Sequence, residues 1–227
     1  MRLAEQSQHA LRQWIADNDV RVIDAMLAKI DDHRFLEWVA ARSYQHANGF
    51  VKIVLAEAGA RLRLHRWSAP TASVAGDGRS GTGPGNVHSH RWCFASSVVL
   101  GSLVNETFVP GGQPSGREHS EGFEAYTYRP GGSVEEITHQ GPRTVSVAST
   151  AVLAAGSHFS LHHRTLHRAW AEELPTYTLI VQGRPVSADT QVLAPPGKLA
   201  RREDAAALTA YDVRAELSRF EALVAGA

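Results

Sequence analysis

Two histidines separated by one residue are the strongest chemical signal in the sequence. His88 and His90 lie in the segment Asn86-Val87-His88-Ser89-His90, which precedes a short apolar, β-branched run at residues 97–100. Alternate side chains leave the same face of a β-strand, so a strand here would project both imidazoles to one side. Neutral imidazole suits iron, zinc, copper and nickel alike. The pair therefore predicts half of a metal site without identifying the metal.

A third imidazole is available far downstream, in a segment that begins at Gly156. His162, His163 and His167 all lie there, and the residue pattern alone leaves the choice among them open. Three neutral imidazoles would bind a cation on one side and leave positions open opposite, as a catalytic metal needs. Of the other histidines, we interpret His119, His139 and His158 as surface or supporting residues, and His65 is a candidate for the cavity.

The two segments together resemble the paired motifs of the cupin superfamily. The resemblance lies in His88-x-His90 followed by Gly101, and in Gly156 with His167 eleven residues later. It implies that His167 is the third ligand. The sequence departs from the first cupin motif, because Phe94 and Ala95 stand where that motif usually has a glutamate. The second motif usually has proline and glycine where this chain has His162 and Arg164.

A three-histidine set without the carboxylate is similar to that of the thiol dioxygenases, of which cysteine dioxygenase is one. Further similarities are Trp67, Cys93-Phe94, Gly101-Ser102-Leu103 and Leu166-His167-Arg168. The resemblance implies an Fe(II) centre that binds substrate sulfur and an amine, takes O2 at the remaining position and forms a sulfinate. Cys93 is either cross-linked to a tyrosine, as in that family, or an inert buried thiol. It stands closer to the second histidine than the family pattern has it.

The remaining pattern predicts a mainly β protein, a cupin double-stranded β-helix or jelly-roll barrel with N-terminal helices and a C-terminal helix. Short strands alternate with Gly- and Pro-containing turns, as in sandwiches and barrels. We predict strands at residues 50–55, 60–67, 86–94, 97–100, 103–109, 124–128, 134–138, 144–153, 159–161, 168–171 and 176–181. The glycine-dense segment 76–85 predicts a lid or a simple insertion.

The predicted parts form one structural domain. A helical extension covers residues 1–48, with breaks at Asp17-Asn18-Asp19 and at Asp31-Asp32. The barrel covers residues 49–195, and residues 196–227 contain a helix from about 203 to 224. The apolar stripes of the N-terminal helices pack on the barrel or form the interface of a homodimer.

Composition limits the partners. The 227 residues carry 23 basic and 23 acidic side chains, which gives no electrostatic reason to bind nucleic acid or an anionic membrane. The single cysteine excludes an intrachain disulfide, and no apolar run is long enough to span a membrane. The N-terminus becomes polar too soon for a signal peptide, so we expect a cytoplasmic protein that acts on a small molecule.

A substrate with a carboxylate would need a cation in the cavity, and we select Arg63 for this role. Its strand alternates Leu62 and Leu64 with polar residues, so the polar face is either exposed to water or lines a polar cavity. The other candidate cations are Lys52, Arg61, Arg91 and Arg168. Candidate hydroxyls near the metal are Tyr126, Tyr128 and Tyr177, and Trp67 and Trp92 either wall the pocket or fill the core.

The leading hypothesis is a non-haem Fe(II)-dependent dioxygenase that oxidises a small thiol or related heteroatom-bearing metabolite with O2. The alternatives are a non-oxidative metal enzyme on the same scaffold, with zinc, nickel or manganese, and a cupin that binds a small ligand without catalysis.

Overall fold

The structure is a computed structural model that describes residues 7–46, 49–67, 86–111, 120–129, 136–196 and 206–226. The glycine-dense segment 76–85 and His119 lie outside the described residues. Three helices are present in the described part: α1 (Gln8–Leu27), α2 (His33–Ala40) and α3 (Ala210–Ala225). None of these helices is long and apolar enough to cross a membrane.

The helix ends follow ordinary capping chemistry. Asp32 caps α2 by accepting from the backbone N–H groups of Arg34 and Phe35, as the sequence predicted. Thr209 caps α3 in a capping box with Asp212. The predicted break at residues 17–19 is wrong, because α1 runs through it: the carboxylate of Asp19 is bound by other elements instead of capping a new helix.

Twelve strands make up most of the fold. They are β1 (Tyr44–His46), β2 (Phe50–Glu57), β3 (Arg61–Trp67), β4 (Val87–His88), β5 (Phe94–Leu100), β6 (Ser102–Pro110), β7 (Ser120–Arg129), β8 (Glu136–Ala154), β9 (His158–Leu161), β10 (Leu166–Ala171), β11 (Thr176–Gln182) and β12 (Thr190–Ala194).

The strands form two antiparallel sheets. One has the order β1-β2-β3-β11-β5-β9, and the other closes on itself in the order β10-β4-β12-β7-β8-β6. Strands distant in sequence become neighbours: β10 pairs with both β6 and β4, and His167 lies opposite His88. The topology therefore joins the two histidine segments that the sequence alone could not connect.

Several predicted strand boundaries were wrong. The strand around the first two histidines contains only Val87 and His88, and His90 follows it in irregular structure. Strand β8 continues through residues 140–142, where a break was predicted, because Gly141 takes a positive φ of 92° beside a register shift in β7. Strand β1 lies inside the segment predicted to be helical, and β12 was not predicted.

The helices cover the outer face of the first sheet. Leu11 and Ile15 of α1 and Val213, Leu217 and Phe220 of α3 belong to one buried cluster with side chains of β2, β3, β5 and β11. A second cluster joins the inner faces of the two sheets through Phe50, Trp67, Val98 and Leu103. Burial of these apolar side chains is the main stabilising contribution to the fold.

This architecture confirms the predicted fold class. It is mainly β, with two antiparallel sheets, N-terminal helices and a C-terminal helix, and it is consistent with a cupin jelly roll.

Candidate metal centre

The structure brings His88, His90 and His167 together. Their rings are neighbours, with centroid separations of 4.9 Å between His88 and His90, 4.7 Å between His88 and His167, and 5.0 Å between His90 and His167. One nitrogen from each ring lies within 4.8 Å of the other two. Three nitrogen donors thus converge on one point, although His90 is not on a strand.

Different backbone contacts position these three side chains. His88 ends β4 and pairs with His167 of β10. The two residues after β4 are held by backbone hydrogen bonds. The Ser89 N–H donates to the Gln191 carbonyl, and the His90 N–H donates to the His163 carbonyl, both at 2.9 Å. These hydrogen bonds, rather than the alternation of side chains along a strand, place the His90 ring beside that of His88.

Two of the rings are oriented by carbonyl oxygens. His88 donates its Nδ1–H to the Asn86 backbone carbonyl at 2.9 Å, and His167 donates its Nδ1–H to Asn105 Oδ1 at 2.9 Å. A histidine whose Nδ1 carries the proton presents an unprotonated Nε2, which is the atom that binds metal. The contacts therefore select the ligating tautomer of both rings.

The third ring contacts the second. His90 Nε2 lies 2.8 Å from His167 Nε2, and because the latter is unprotonated, His90 donates a hydrogen bond to it. Two nitrogens each about 2.1 Å from one cation and at a right angle would be about 3.0 Å apart. The observed spacing fits a shared cation, provided that the proton leaves His90 Nε2 when the cation binds.

The centre is shielded from water, and its charge state suits a cation. His167 is buried, and His88 and His90 are half-buried. Burial is the main cause that lowers the pKa of all three histidines, and the pKa of His90 is lowered further by His88, His167 and Arg63. The rings are therefore neutral at pH 7, as metal ligands must be.

A basic inner wall lies on the first sheet beside the histidines. Arg63 and His65 are both buried on β3, and Lys52, also buried, is the partner of His65 on β2. The guanidinium of Arg63 lies 5.9 Å from the ring of Trp92, which is 5.8 Å from the ring of His90. This places Arg63, the cation selected from the sequence, close enough to His90 to act on it electrostatically.

Arg63 has no acidic partner among the described residues. Its Nε is buried without a hydrogen bond, and so is Nε2 of His65. Burial lowers the pKa of Arg63 to about 10, so the guanidinium remains charged at neutral pH. A buried charge without a counter-ion costs several kcal/mol. Such a group is typical of a site that binds an anion.

The three tyrosines are in different places. Tyr126 on β7 is two strands from His88, through Val192 on β12, which corresponds to about 10 Å at the usual strand spacing. Tyr128 is half-buried further along β7. Tyr177 is fully buried against Phe220 of α3, with ring centroids 5.0 Å apart, and burial raises its pKa to about 12. The structure does not bring Tyr177 to the histidines.

Two of the remaining candidate cations have acidic partners away from the histidines. Arg61 pairs with Glu57, and Arg168 pairs with Glu106 at 2.6 Å. Arg91 lies over the Trp92 ring at 5.1 Å. Trp67 fills the core between the sheets and donates to Thr178 Oγ1, whereas Trp92 lies beside His90.

The other described histidines are outside the centre. His158 contacts Asp19 of α1, and His139 contacts Glu124. His162 and His163, the alternatives to His167, lie beside Cys93 in a separate group.

Sequence reasoning missed Asn105 at the centre, and it named Phe94 as the replacement for the motif's glutamate without predicting its contacts with the histidines. Asn105 on β6 orients His167, and the Phe94 ring lies 4.9 Å from that of His90 and 5.9 Å from that of His167. Alternation along β6 places Asn105 on the same face as Leu103, so a polar residue at that buried position was the available signal.

No protein-family model and no curated protein matches the sequence. Solved structures with some similarity include KdgF from Halomonas sp., at 14% identity over 60% of this chain and 82% of that one, with a TM-score of 0.34. Hydroxypropylphosphonic acid epoxidase from S. wedmorenis is 10% identical over 63% of this chain and 54% of its own, with a TM-score of 0.35.

Hydroquinone 1,2-dioxygenase PnpCD, in complex with Cd2+ and 4-hydroxybenzonitrile, is 14% identical over 66% of this chain and 71% of that one, also with a TM-score of 0.35. The match spans about half of the epoxidase. Similarities this weak do not assign a family or an activity to this chain.

Proposed function

We propose that the protein is a non-haem Fe(II)-dependent dioxygenase that oxidises a small thiol or related heteroatom-bearing metabolite. The observation that supports this most directly is the convergence of three buried or half-buried, neutral histidines, two of which, His88 and His167, have the tautomer that suits metal binding. His88, His90 and His167 would hold the metal. The same ligands would accept zinc, nickel or manganese, so metal analysis is part of the test.

When bound, iron supplies the O2 chemistry, and the chain positions the reactants. Both atoms of O2 enter the product, so a thiolate becomes a sulfinate and no external reductant is needed. Phe94 and Trp92 pack beside His90 and keep bulk water from that side of the reacting atoms. Exclusion of water strengthens the electrostatic interactions between the protein and the substrate.

The electrostatics favour an anionic substrate. Three neutral histidines leave both charges of a divalent cation in place, and Arg63 adds a third positive charge nearby. A molecule that carries a thiolate and a carboxylate would offset two of these charges. We therefore assign Arg63 to the carboxylate and the histidine-bound metal to the sulfur.

Tyr126 and Tyr128 keep a proposed role as contacts for the part of a substrate that is remote from the metal. By strand pairing, Tyr126 is on the same face of the second sheet as His88, although two strands separate them. A hydroxyl at that distance would contact a substrate that extends beyond the metal. Tyr177 has no part in this proposal, because it packs against α3.

The first test combines elemental analysis with oxygen uptake. Protein purified in air without chelators is expected to contain one iron per chain and to consume O2 with a carboxylate-bearing thiol. His167→Ala should lose both the metal and the activity, whereas His33→Ala, which alters an exposed histidine paired with Glu37 on α2, should keep both. A full metal complement with no O2 consumption across a broad thiol panel would contradict the proposal.

The second test addresses Arg63. Arg63→Met should raise KM for a carboxylate-bearing thiol by roughly 30-fold or more, since loss of a buried charge pair costs about 2 to 5 kcal/mol. A thiol that lacks the carboxylate should be oxidised equally by both proteins. The control is Arg61→Met, which removes a partly exposed arginine that pairs with Glu57. An equal loss with both thiols would exclude the assigned contact.

A further inference from the structure

A second group of metal-binding side chains lies apart from the three histidines. Cys93, which directly precedes β5, lies beside His162 and His163 in the turn between β9 and β10, and one donor atom from each falls within 4.8 Å of the others. We propose that these three residues form a second metal site for a thiophilic cation, Zn(II) or Cu(I). A thiolate with two imidazoles is the donor set that these cations prefer.

The distances fit a shared cation. Cys93 Sγ lies 3.9 Å from His163 Nδ1, and the rings of His162 and His163 are 4.1 Å apart. A sulfur about 2.3 Å and a nitrogen about 2.1 Å from one metal are about 3.8 Å apart in trigonal geometry and about 3.6 Å apart in tetrahedral geometry. The observed spacing is close to both values, so little movement is needed.

Backbone hydrogen bonds hold all three donor residues, and the His162 carbonyl accepts from the Thr165 N–H at 2.9 Å. The Cys93 carbonyl accepts from the Gly183 N–H, and the His163 carbonyl accepts from the His90 N–H, both at 2.9 Å. His162 is exposed, and its Nδ1 accepts only a long bond of 3.3 Å from the Arg164 N–H. This ring can therefore reorient toward a cation at small cost, while Cys93 and His163 provide a fixed base.

An open cavity gives a cation access to this group. It has a volume of about 600 Å³ beside the start of α1, and its lining includes Cys93, both histidines, Gln8 and Arg12. A metal here would keep a position facing the cavity. Arg12 on that wall favours an anionic molecule as the additional ligand.

The competing explanation is a weak hydrogen bond between a thiol and an imidazole. A distance of 3.9 Å is compatible with such a contact, and it would hold Cys93 without any metal. The two explanations differ in one observable. Only metal binding creates a bond between sulfur and the cation.

Cobalt(II) substitution detects that bond. Metal-free wild-type protein titrated with Co(II) should bind two equivalents and develop a near-ultraviolet band from thiolate-to-cobalt charge transfer, which an all-histidine site does not produce. Cys93→Ser should bind one equivalent without the band. His9→Ala, which removes a histidine from the lining of the same cavity, should behave as the wild type.

The His88→Ala/His90→Ala variant separates this proposal from the proposed function. It should still bind one equivalent of Co(II) and show the charge-transfer band, because sulfur belongs only to the second site. Absence of the band in the wild type, or a band that survives in His163→Ala at unchanged affinity, would overturn the assignment. Zn(II) and Cu(I) competition against Co(II) then identifies the preferred cation.

Discussion

The histidines of the candidate metal centre differ in whether their hydrogen-bond acceptor can be removed by mutation. His88 is oriented by a backbone carbonyl, which no substitution removes, whereas His167 is oriented by the Asn105 side chain. Partners of this kind fix the tautomer and the ring direction of a ligand, and their loss costs affinity. Asn105 is therefore the residue at which the orientation of a ligand can be tested without removal of the ligand.

Asn105→Ala should weaken metal binding by about 10- to 100-fold, because His167 loses the acceptor that keeps its proton on Nδ1. Competition with a chromogenic chelator measures the affinity. Asn105→Asp, which retains an acceptor, should bind at least as tightly as the wild type. The control is Thr107→Ala on the same strand, whose hydroxyl contacts Ser149 instead. Equal affinities for Asn105→Ala and the wild type would contradict this role.

The sequence predicted which histidines converge, but not how they are positioned. The correct His88, His90 and His167 set followed from the resemblance to cupins, and strand alternation gave the wrong reason for His90, which leaves the strand. Tyr177 was selected for its hydroxyl, yet its face of β11 meets α3. The environment of a strand side chain depends on which elements cover each face of the sheet. An alternating sequence pattern separates the two faces but does not identify the elements that cover them.

At the scale of elements, tertiary contacts overrode local signals. Asp17-Asn18-Asp19 has the composition of a helix break, but Asp19 accepts from Ser97 Oγ at 2.8 Å and contacts His158 Nε2 at 2.9 Å. Burial alone would raise the pKa of Asp19, and the hydrogen bonds from His158 and Ser97 outweigh it and lower the pKa. The carboxylate thus connects α1 to β5 and β9, and the helix continues.

The turn between β5 and β6 was predicted correctly, and the structure explains why it contains glycine. Gly101 has a positive φ of 76°, and a Cβ there would lie 2.3 Å from Thr176 Oγ1 and 2.7 Å from the Pro175 carbonyl. The same hydroxyl accepts from the Ser102 N–H and lies 2.5 Å from the Glu173 carbonyl, to which it can donate, and 3.1 Å from the Ser102 carbonyl. Position 101 therefore requires glycine for two reasons, namely the positive φ and the lack of room for a Cβ.

Gly101→Ala should be more destabilising than Gly156→Ala. Both glycines have positive φ, which costs an alanine about 1 to 2 kcal/mol, but a Cβ at Gly156 would have nothing within 4 Å. The overlap at Gly101 should add about 1 to 3 kcal/mol. Chemical denaturation of both variants measures the difference. Equal losses would mean that the turn shifts to accommodate the Cβ.

At the scale of the molecule, apolar and polar interiors are separate. The space between α1, α3 and the first sheet is filled mainly by apolar side chains, as periodicity predicted, and it also contains the buried Glu216 carboxylate and the Tyr177 hydroxyl. The inner face of the same sheet carries Arg63, His65 and Ser96, each with a buried polar atom that lacks a partner. Such burial is unfavourable to folding, so we interpret this wall as shaped by ligand binding. Pairing of the distant strands that form it was not predictable from local sequence.

The polar interior should make the metal-free protein less stable in mild acid. Burial is the main cause that lowers the pKa of His65 well below its usual 6.5, with contributions from Arg63 and Lys52. Below pH 6.5 the unfolded chain takes up a proton at His65 and the folded chain does not, so the free energy of unfolding falls as the pH falls. The buried histidines of the metal centre act in the same direction when no metal is bound.

The contribution of His65 can be isolated by a comparison of slopes. Between pH 6.5 and 5, with chelator present, the free energy of unfolding of His65→Gln should fall less steeply than that of the wild type. The difference should be at most about 1.4 kcal/mol per pH unit, the limit for one proton. His33→Gln, which removes an exposed histidine, should keep the wild-type slope. Urea denaturation at each pH supplies the values, and identical slopes for His65→Gln and the wild type would mean that folded His65 accepts a proton from solvent as readily as the unfolded chain does.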